Sequence, residues 1–257
     1  MADKLMVLTR LAKVLLCLLG IGLPPLCQES LAQDDPRAAP EVSSLKGMGR
    51  VSGRVIIGGS YDKPKPLPVF KNRSFCGSRV PNETLLVGRE GGLRNTVVTL
   101  HPLDRNVAAQ PMPLVLDNKQ CAFAPHLQVG TVGSELLLKN SDPILHTVHA
   151  RMGNETLFNV GLPTWRQVTK RLDRIGVVRI DCDVLHTWMT AVIVVTDTPY
   201  FAVSDQNGNF VMEQLPAGQY QAEIWHEKLG VKTIGVAVTP DRIVALDFVY
   251  ALKGGLH

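Results

Sequence analysis

The stretch RIGVVRIDCDVLHTWMTAVIVV, Arg174 to Val195, decides the reading of this chain. Two runs rich in valine and isoleucine, Gly176 to Ile180 and Ala191 to Val195, flank a short loop. β-Branched side chains suit the pleated surface of a sheet, so the segment reads as strand, loop, strand. Cys182, His186 and Met189 stand in the loop with the spacing Cys-x3-His-x2-Met. A hydrophobic core needs no histidine there. A soft metal would use all three groups: sulfur ligands suit Cu(I), and imidazole nitrogens suit Cu(II). A mononuclear copper site of this kind takes a second imidazole. The segment LLLKNSDPILHTVHA, Leu136 to Ala150, offers His146 after a strand and a polar turn.

The same short β-branched runs recur along the chain: VSGRVIIGG (Val51 to Gly59), NTVVTL (Asn95 to Leu100), ELLLKN (Glu135 to Asn140) and GVAV (Gly235 to Val238). Turn formers such as NSDP, NGN and PAG separate them. Many short strands with frequent glycine and proline punctuation predict an all-β sandwich or barrel. After the first residues no long segment shows helical periodicity. One short helix is expected around Thr164 to Lys170. Tyr61 to Asn72 carries three prolines and reads as an extended loop or edge. Asn207-Gly208 is a hairpin signal. A boundary is expected near Thr198-Pro199.

The 257 residues are 45% hydrophobic and 19% charged, enough apolar content for a real core. The net charge of +4 is mild, and no basic cluster is interleaved with aromatics, so nucleic-acid binding is not expected. Residues 1–32 read as an export signal: Lys4, Arg10 and Lys13, then the apolar VLLCLLGIGLPPL, then SLA at Ser30 to Ala32 before the cut. The apolar run is too short to span a bilayer, and no membrane span is expected after cleavage, although retention as an anchor is the alternative. The expected location is the periplasm, the cell envelope or outside the cell. Residues 33–50 read as a polar linker. Removal of the leader leaves Cys76, Cys121 and Cys182. In an oxidising compartment an odd number leaves a thiol over or pairs it between chains. The simplest arithmetic is a Cys76–Cys121 bridge with Cys182 free.

Two segments resemble the cupredoxins, in particular the amicyanin and plastocyanin group. VGSELLLKNSDPILHTVH is similar to the family's strand, Asn, loop and first-histidine segment. GVVRIDCDVLHTWMTAVIVV is similar to its glycine, strand, Cys–His–Met loop and closing strand. The resemblance implies His146, Cys182 and His186 as strong ligands and Met189 as the axial one. It implies one copper per chain cycling between Cu(II) and Cu(I), a redox partner protein, and a loop histidine near the surface as the electron's exit. Amicyanin and plastocyanin usually hold two residues between Cys and His; here there are three, as in part of the loop of cytochrome oxidase subunit II. The second cysteine that such a binuclear site needs would stand at Val178. The whole chain also resembles exported proteins labelled methylamine-utilisation-like, in which a cupredoxin-like region adjoins a carboxypeptidase-regulatory-like β-sandwich. SDQNGNF (Ser204 to Phe210) and LPAGQYQAEIWHE (Leu215 to Glu227) match that module. The expected fold is a cupredoxin-like Greek-key sandwich at 51–197, adjoining or inserted in a smaller β module at 198–257 that pairs with the strand near 51–59.

Other residues take blander readings. His149 has the opposite strand parity to His146 and is expected outside the site, with ligation in place of His146 as the alternative. Trp188 is expected to pack over the site. Cys121 and His126 could form a second soft site; the disulfide is favoured, which leaves His126 as polar surface. His226 is expected to be structural. Asp205, Asn207 and Asn209 fail the EF-hand spacing, with Pro216 at the twelfth position. Ser204 lacks a nucleophile context, and GREGG (Gly88 to Gly92) lacks a phosphate-loop lysine. No enzyme activity is expected. The alternative to a copper carrier is a metal-free structural or interaction β-sandwich of the envelope.

Overall fold

The computed structural model describes residues 47–252. The expected leader at 1–32 lies outside them, as does the linker expected at 33–50 up to residue 46. Among the described residues no helix is long and apolar enough to cross a membrane. The structure is all-β.

One sandwich holds the decisive stretch. Its first sheet runs Glu155–Leu162, His146–Met152, Gly176–Asp181, Thr190–Thr196, Leu127–Thr131. Its second runs Gln167–Leu172, Ser134–Asn140, Leu114–Lys119, Ala122–Ala124. Alternate residues of facing strands fill the core: Leu114 and Leu116, Leu136 and Leu138, Val148 and Ala150, Val178 and Ile180. This period of two is what a strand with one buried face requires. Each such Val, Leu or Ile side chain contributes about 1.5–3 kcal/mol on burial.

The second sandwich takes strands from both sides of the first. Asn209–Pro216, Met48–Gly58 and Ile243–Ala245 form one sheet, with Phe248–Ala251 also on Met48–Gly58. Phe201–Val203, Val97–Pro102, Gly218–His226 and Gly230–Val238 form the other. Val51, Leu100, Leu215, Tyr220 and Ile224 are among its core residues. The LPAGQY motif is explained by this packing. Leu215 and Tyr220 are fully buried, and the Tyr220 hydroxyl donates to the Pro216 carbonyl at 2.6 Å.

The sandwiches share a third cluster, in which Val194, Leu127 and Val129 meet Val97, with Phe201 and Trp225 packed against it. This explains the unbroken apolar run AVIVV. Ala191, Ile193 and Val195 face the first core, and Val194 faces the other module. A strand covered on both faces loses its alternation.

Two local expectations are corrected. Gln167–Leu172, in the region read as a helix around Thr164 to Lys170, is a strand antiparallel to Ser134–Asn140. β-Branched Val168 and Thr169 and a full ladder outweigh weak helical patterning. The Asn207-Gly208 turn forms, but its flanking strands Phe201–Val203 and Asn209–Pro216 lie in different sheets, so it crosses between sheets and closes no hairpin. Gly208 has φ +82°, and a Cβ there would stand 2.2 Å from the Val55 carbonyl oxygen.

Candidate metal centre

Three buried side chains converge at one end of the first sandwich. His146 begins its strand, His146–Met152. Cys182 follows the end of Gly176–Asp181, and His186 lies in the loop leading to Thr190–Thr196. His146 Nδ1 and His186 Nδ1 are 3.1 Å apart. Cys182 Sγ is 3.9 Å from His146 Nδ1 and 3.7 Å from His186 Nδ1. None of the three residues is more than 4% exposed. Among the described residues this is the one group of three His, Cys, Asp or Glu ligand atoms close enough to share an ion.

The far edges of both rings fix which nitrogen faces inward. His146 Nε2 lies 3.0 Å from Asp142 Oδ2, and a carboxylate accepts, so Nε2 carries the proton. His186 Nε2 lies 2.9 Å from Asn72 Oδ1; with Oδ1 as acceptor, that ring is protonated at Nε2 as well. Both Nδ1 lone pairs then point at the same space with no proton between them. Burial pushes the His146 imidazole below its usual range against the pull of Asp142. Burial, with His146 and Lys71 adding to it, pushes His186 down to about 4. Both rings are therefore neutral near pH 7. Two facing lone pairs repel unless a cation sits between them. Nitrogens at about 2.0–2.1 Å and a sulfur at about 2.3 Å from one ion span triangle edges of this size. The donor set fits a soft or borderline metal.

The sulfur is prepared for the same role. Thr147 N–H and the Thr147 hydroxyl point at Cys182 Sγ from 3.4 and 3.7 Å. That hydroxyl accepts from Asp183 N–H at 2.7 Å, which leaves its proton free for the sulfur. Met189 is 1% exposed in the same core as Cys182. Its N–H donates to the His186 carbonyl at 2.8 Å, which closes the turn between the two residues. Trp188 packs on His186 with ring centroids 5.1 Å apart, and its indole N–H donates to the Cys121 carbonyl.

The structure brings together three of the four residues expected from the sequence, His146, Cys182 and His186, and buries the fourth, Met189, in the core that carries Cys182. Cys76 and Cys121 form a disulfide, and Cys182 is free and buried. His149 faces away from the site: its Nδ1 is 2.9 Å from Asp183 and its Nε2 2.8 Å from the Thr156 hydroxyl. One reading is corrected. His126 is not polar surface; it is buried, with Nε2 2.7 Å from Glu227 and Nδ1 3.0 Å from the Thr190 carbonyl oxygen. His186 is itself covered, being 1% exposed beneath Asn72 and Trp188, while its chain neighbour Leu185 is exposed.

Sequence reasoning missed Asp142, Thr147 and Asn72. Asp142 had a local signal: it lies shortly before His146 in a loop that Asn140 ties down through bonds to the Ile144 and Leu162 carbonyls. Asn72 had none, since it stands 114 residues from its histidine.

No family model matches the chain, and no curated protein matches it. Among solved structures it is similar to a purple cupredoxin from Nitrosopumilus maritimus, 20% identical with a TM-score of 0.29, over 33% of this chain and 98% of that one. It is similar to a copper-containing nitrite reductase from Thermus scotoductus SA-01, 18% identical with a TM-score of 0.31, over 38% of this chain and 26% of that one. A reduced amicyanin variant is 16% identical with a TM-score of 0.30, over 38% of this chain and 98% of that one. Scores this low carry no functional weight, and the site stands on its own geometry.

Proposed function

We propose that this protein binds one copper ion through His146 Nδ1, His186 Nδ1 and the Cys182 thiolate, with the Met189 thioether as a weak axial ligand, and carries single electrons. The observation that carries this reading is the convergence of two ring nitrogens and one thiol in a buried triangle. Copper held there would supply Cu(II)/Cu(I) chemistry. The protein's own part is to keep both imidazoles neutral, to direct their Nδ1 atoms inward through Asp142 and Asn72, and to donate hydrogen bonds from Thr147 to the sulfur. Ligands held rigidly rearrange little between oxidation states. Burial of Cys182 keeps oxidants from the thiolate.

The donor set supports an electron carrier: one thiolate and two imidazoles with a weak thioether suit single-electron copper chemistry. A redox partner protein would approach where apolar side chains are exposed next in sequence to the ligands, at Leu145 and Leu185. The Cys76–Cys121 disulfide supports an exported location, in the periplasm, the envelope or outside the cell.

Titration of the purified mature protein with Cu(II), followed by visible absorption, tests the reading. The expected result is an intense thiolate-to-copper charge-transfer band that saturates at one copper per chain and is missing in Cys182→Ser. Weak or non-stoichiometric binding without that band would leave a metal-free structural β-sandwich.

A further inference from the structure

The segment from Val69 to Gly77 lies over the His186 edge of the site and is fastened at several points. Val69 is fully buried in the first core, and its N–H donates to the Ser78 carbonyl. Lys71 Nζ reaches the Val184 carbonyl oxygen in the ligand loop at 3.2 Å. Asn72 sits in the left-handed region, φ 55° and ψ 34°, a conformation asparagine tolerates better than most residues. The short helix Arg73–Cys76 then ends at the disulfide.

Cys121, at the other end of that disulfide, touches the outer partners of both histidines. Its N–H donates to Asp142 Oδ2 at 2.9 Å, the same oxygen that His146 Nε2 approaches. Its carbonyl accepts from the Trp188 indole, which packs on His186. One covalent bond thus joins the segment that carries Asn72 to the residue that orders Asp142.

We infer that Asn72 is a positioning residue that holds His186 in its Nε2–H form, and that the Cys76–Cys121 disulfide pins Val69 to Gly77 as a cap over that imidazole edge. The cap closes the path by which solvent, chelators and oxidants would reach the metal ligands. Its bearing on copper rests on the function proposed above. The cap itself is tested in metal-free protein, so the two can fail separately.

Asn72→Gly removes the side-chain acceptor and tolerates the left-handed backbone; Asn72→Asp keeps an acceptor in the same place. In metal-free wild-type protein, nitrogen-15 chemical shifts of His186 should report protonation at Nε2 alone. In Asn72→Gly they should report a mixture of both tautomers, and in Asn72→Asp the wild-type form. Loss of an outer hydrogen-bonding partner of a metal-bound histidine typically costs about 10–100-fold in metal affinity. Copper transfer to a chelator from Asn72→Gly should show an effect of that order, reversed in Asn72→Asp. Alkylation of the Cys182 thiol in metal-free protein should be clearly faster in Asn72→Gly and in Cys76→Ala/Cys121→Ala than in wild type. If His186 keeps the wild-type tautomer and Cys182 the wild-type reactivity in Asn72→Gly, the cap inference is wrong, even where the disulfide variant does not fold. If those two measurements come out as expected but no copper band forms, the cap stands and the copper function falls.

Discussion

Two groups of buried histidines can be set side by side. At the end of the first sandwich, His146 and His186 each satisfy one ring nitrogen and leave the other facing Cys182. Where the two sandwiches meet, His126 has both ring nitrogens engaged, by Glu227 and the Thr190 carbonyl. Nearby, His226 Nδ1 accepts from Lys228 N–H at 3.2 Å. Burial is similar in the two groups; satisfaction differs. A group with every polar atom paired needs nothing further. A group with convergent lone pairs can take a cation.

The largest stability effect is expected in the paired group. Glu227→Ala leaves His126 buried without its carboxylate, which should cost about 3 kcal/mol. Denaturant unfolding of the metal-free protein measures this, and copper stoichiometry should not change. An effect below about 1 kcal/mol, the range of an exposed ion pair, would show that the contact between the sandwiches does not depend on this pair.

Acid separates the histidines by sign. Burial pushes His226 down to about 4, so the unfolded chain binds its proton first as pH falls. The contribution of neutral His226 is full above about pH 6.5, declines as pH falls below it, and is gone near the folded value of about 4. At about 1.4 kcal/mol per pH unit this amounts to about 3 kcal/mol. His126 runs the other way: burial opposes its charge, but Glu227 prevails and raises it. Its contribution is full below about pH 6.5 and is lost as pH rises through its raised folded value. Unfolding free energy of metal-free protein should therefore fall more shallowly between about pH 6.5 and about pH 4 in His226→Gln than in wild type. Parallel curves would contradict the assignment.

The smallest effect is expected from Cys182→Ser in metal-free protein. Its neighbours are lone pairs and Thr147 donors that a hydroxyl can also meet, so stability should change by about 1 kcal/mol or less. A larger loss would mean that Cys182 serves packing, and the contrast between the two groups would weaken.

Legibility in the sequence followed the same division. Cys182 and His186 were readable because one loop between two β-branched runs carries both, and His146 because a strand and polar turn deliver it. Strand alternation made the first core readable at Leu136, Leu138, Val148 and Ala150. What sequence could not supply were partners brought in from a distance: Asn72 on His186, and Glu227 on His126. His126 read as surface because nothing near it in sequence shows that the second sandwich covers it. Thr164 to Lys170 read as a helix because the ladder partner of Gln167–Leu172, the strand Ser134–Asn140, lies well upstream. The Asn207-Gly208 turn was visible, but which sheets it joins depends on a strand beginning at Met48.

The copper K-edge X-ray absorption of protein loaded with one equivalent of copper tests the central claim most directly. The convergent triangle predicts one sulfur at short bond distance and two imidazole nitrogens bound to the metal, with that short sulfur lost in Cys182→Ser. Nitrogen and oxygen ligands alone, unchanged in that variant, would place copper elsewhere and contradict the assignment of His146, Cys182 and His186 as its ligands.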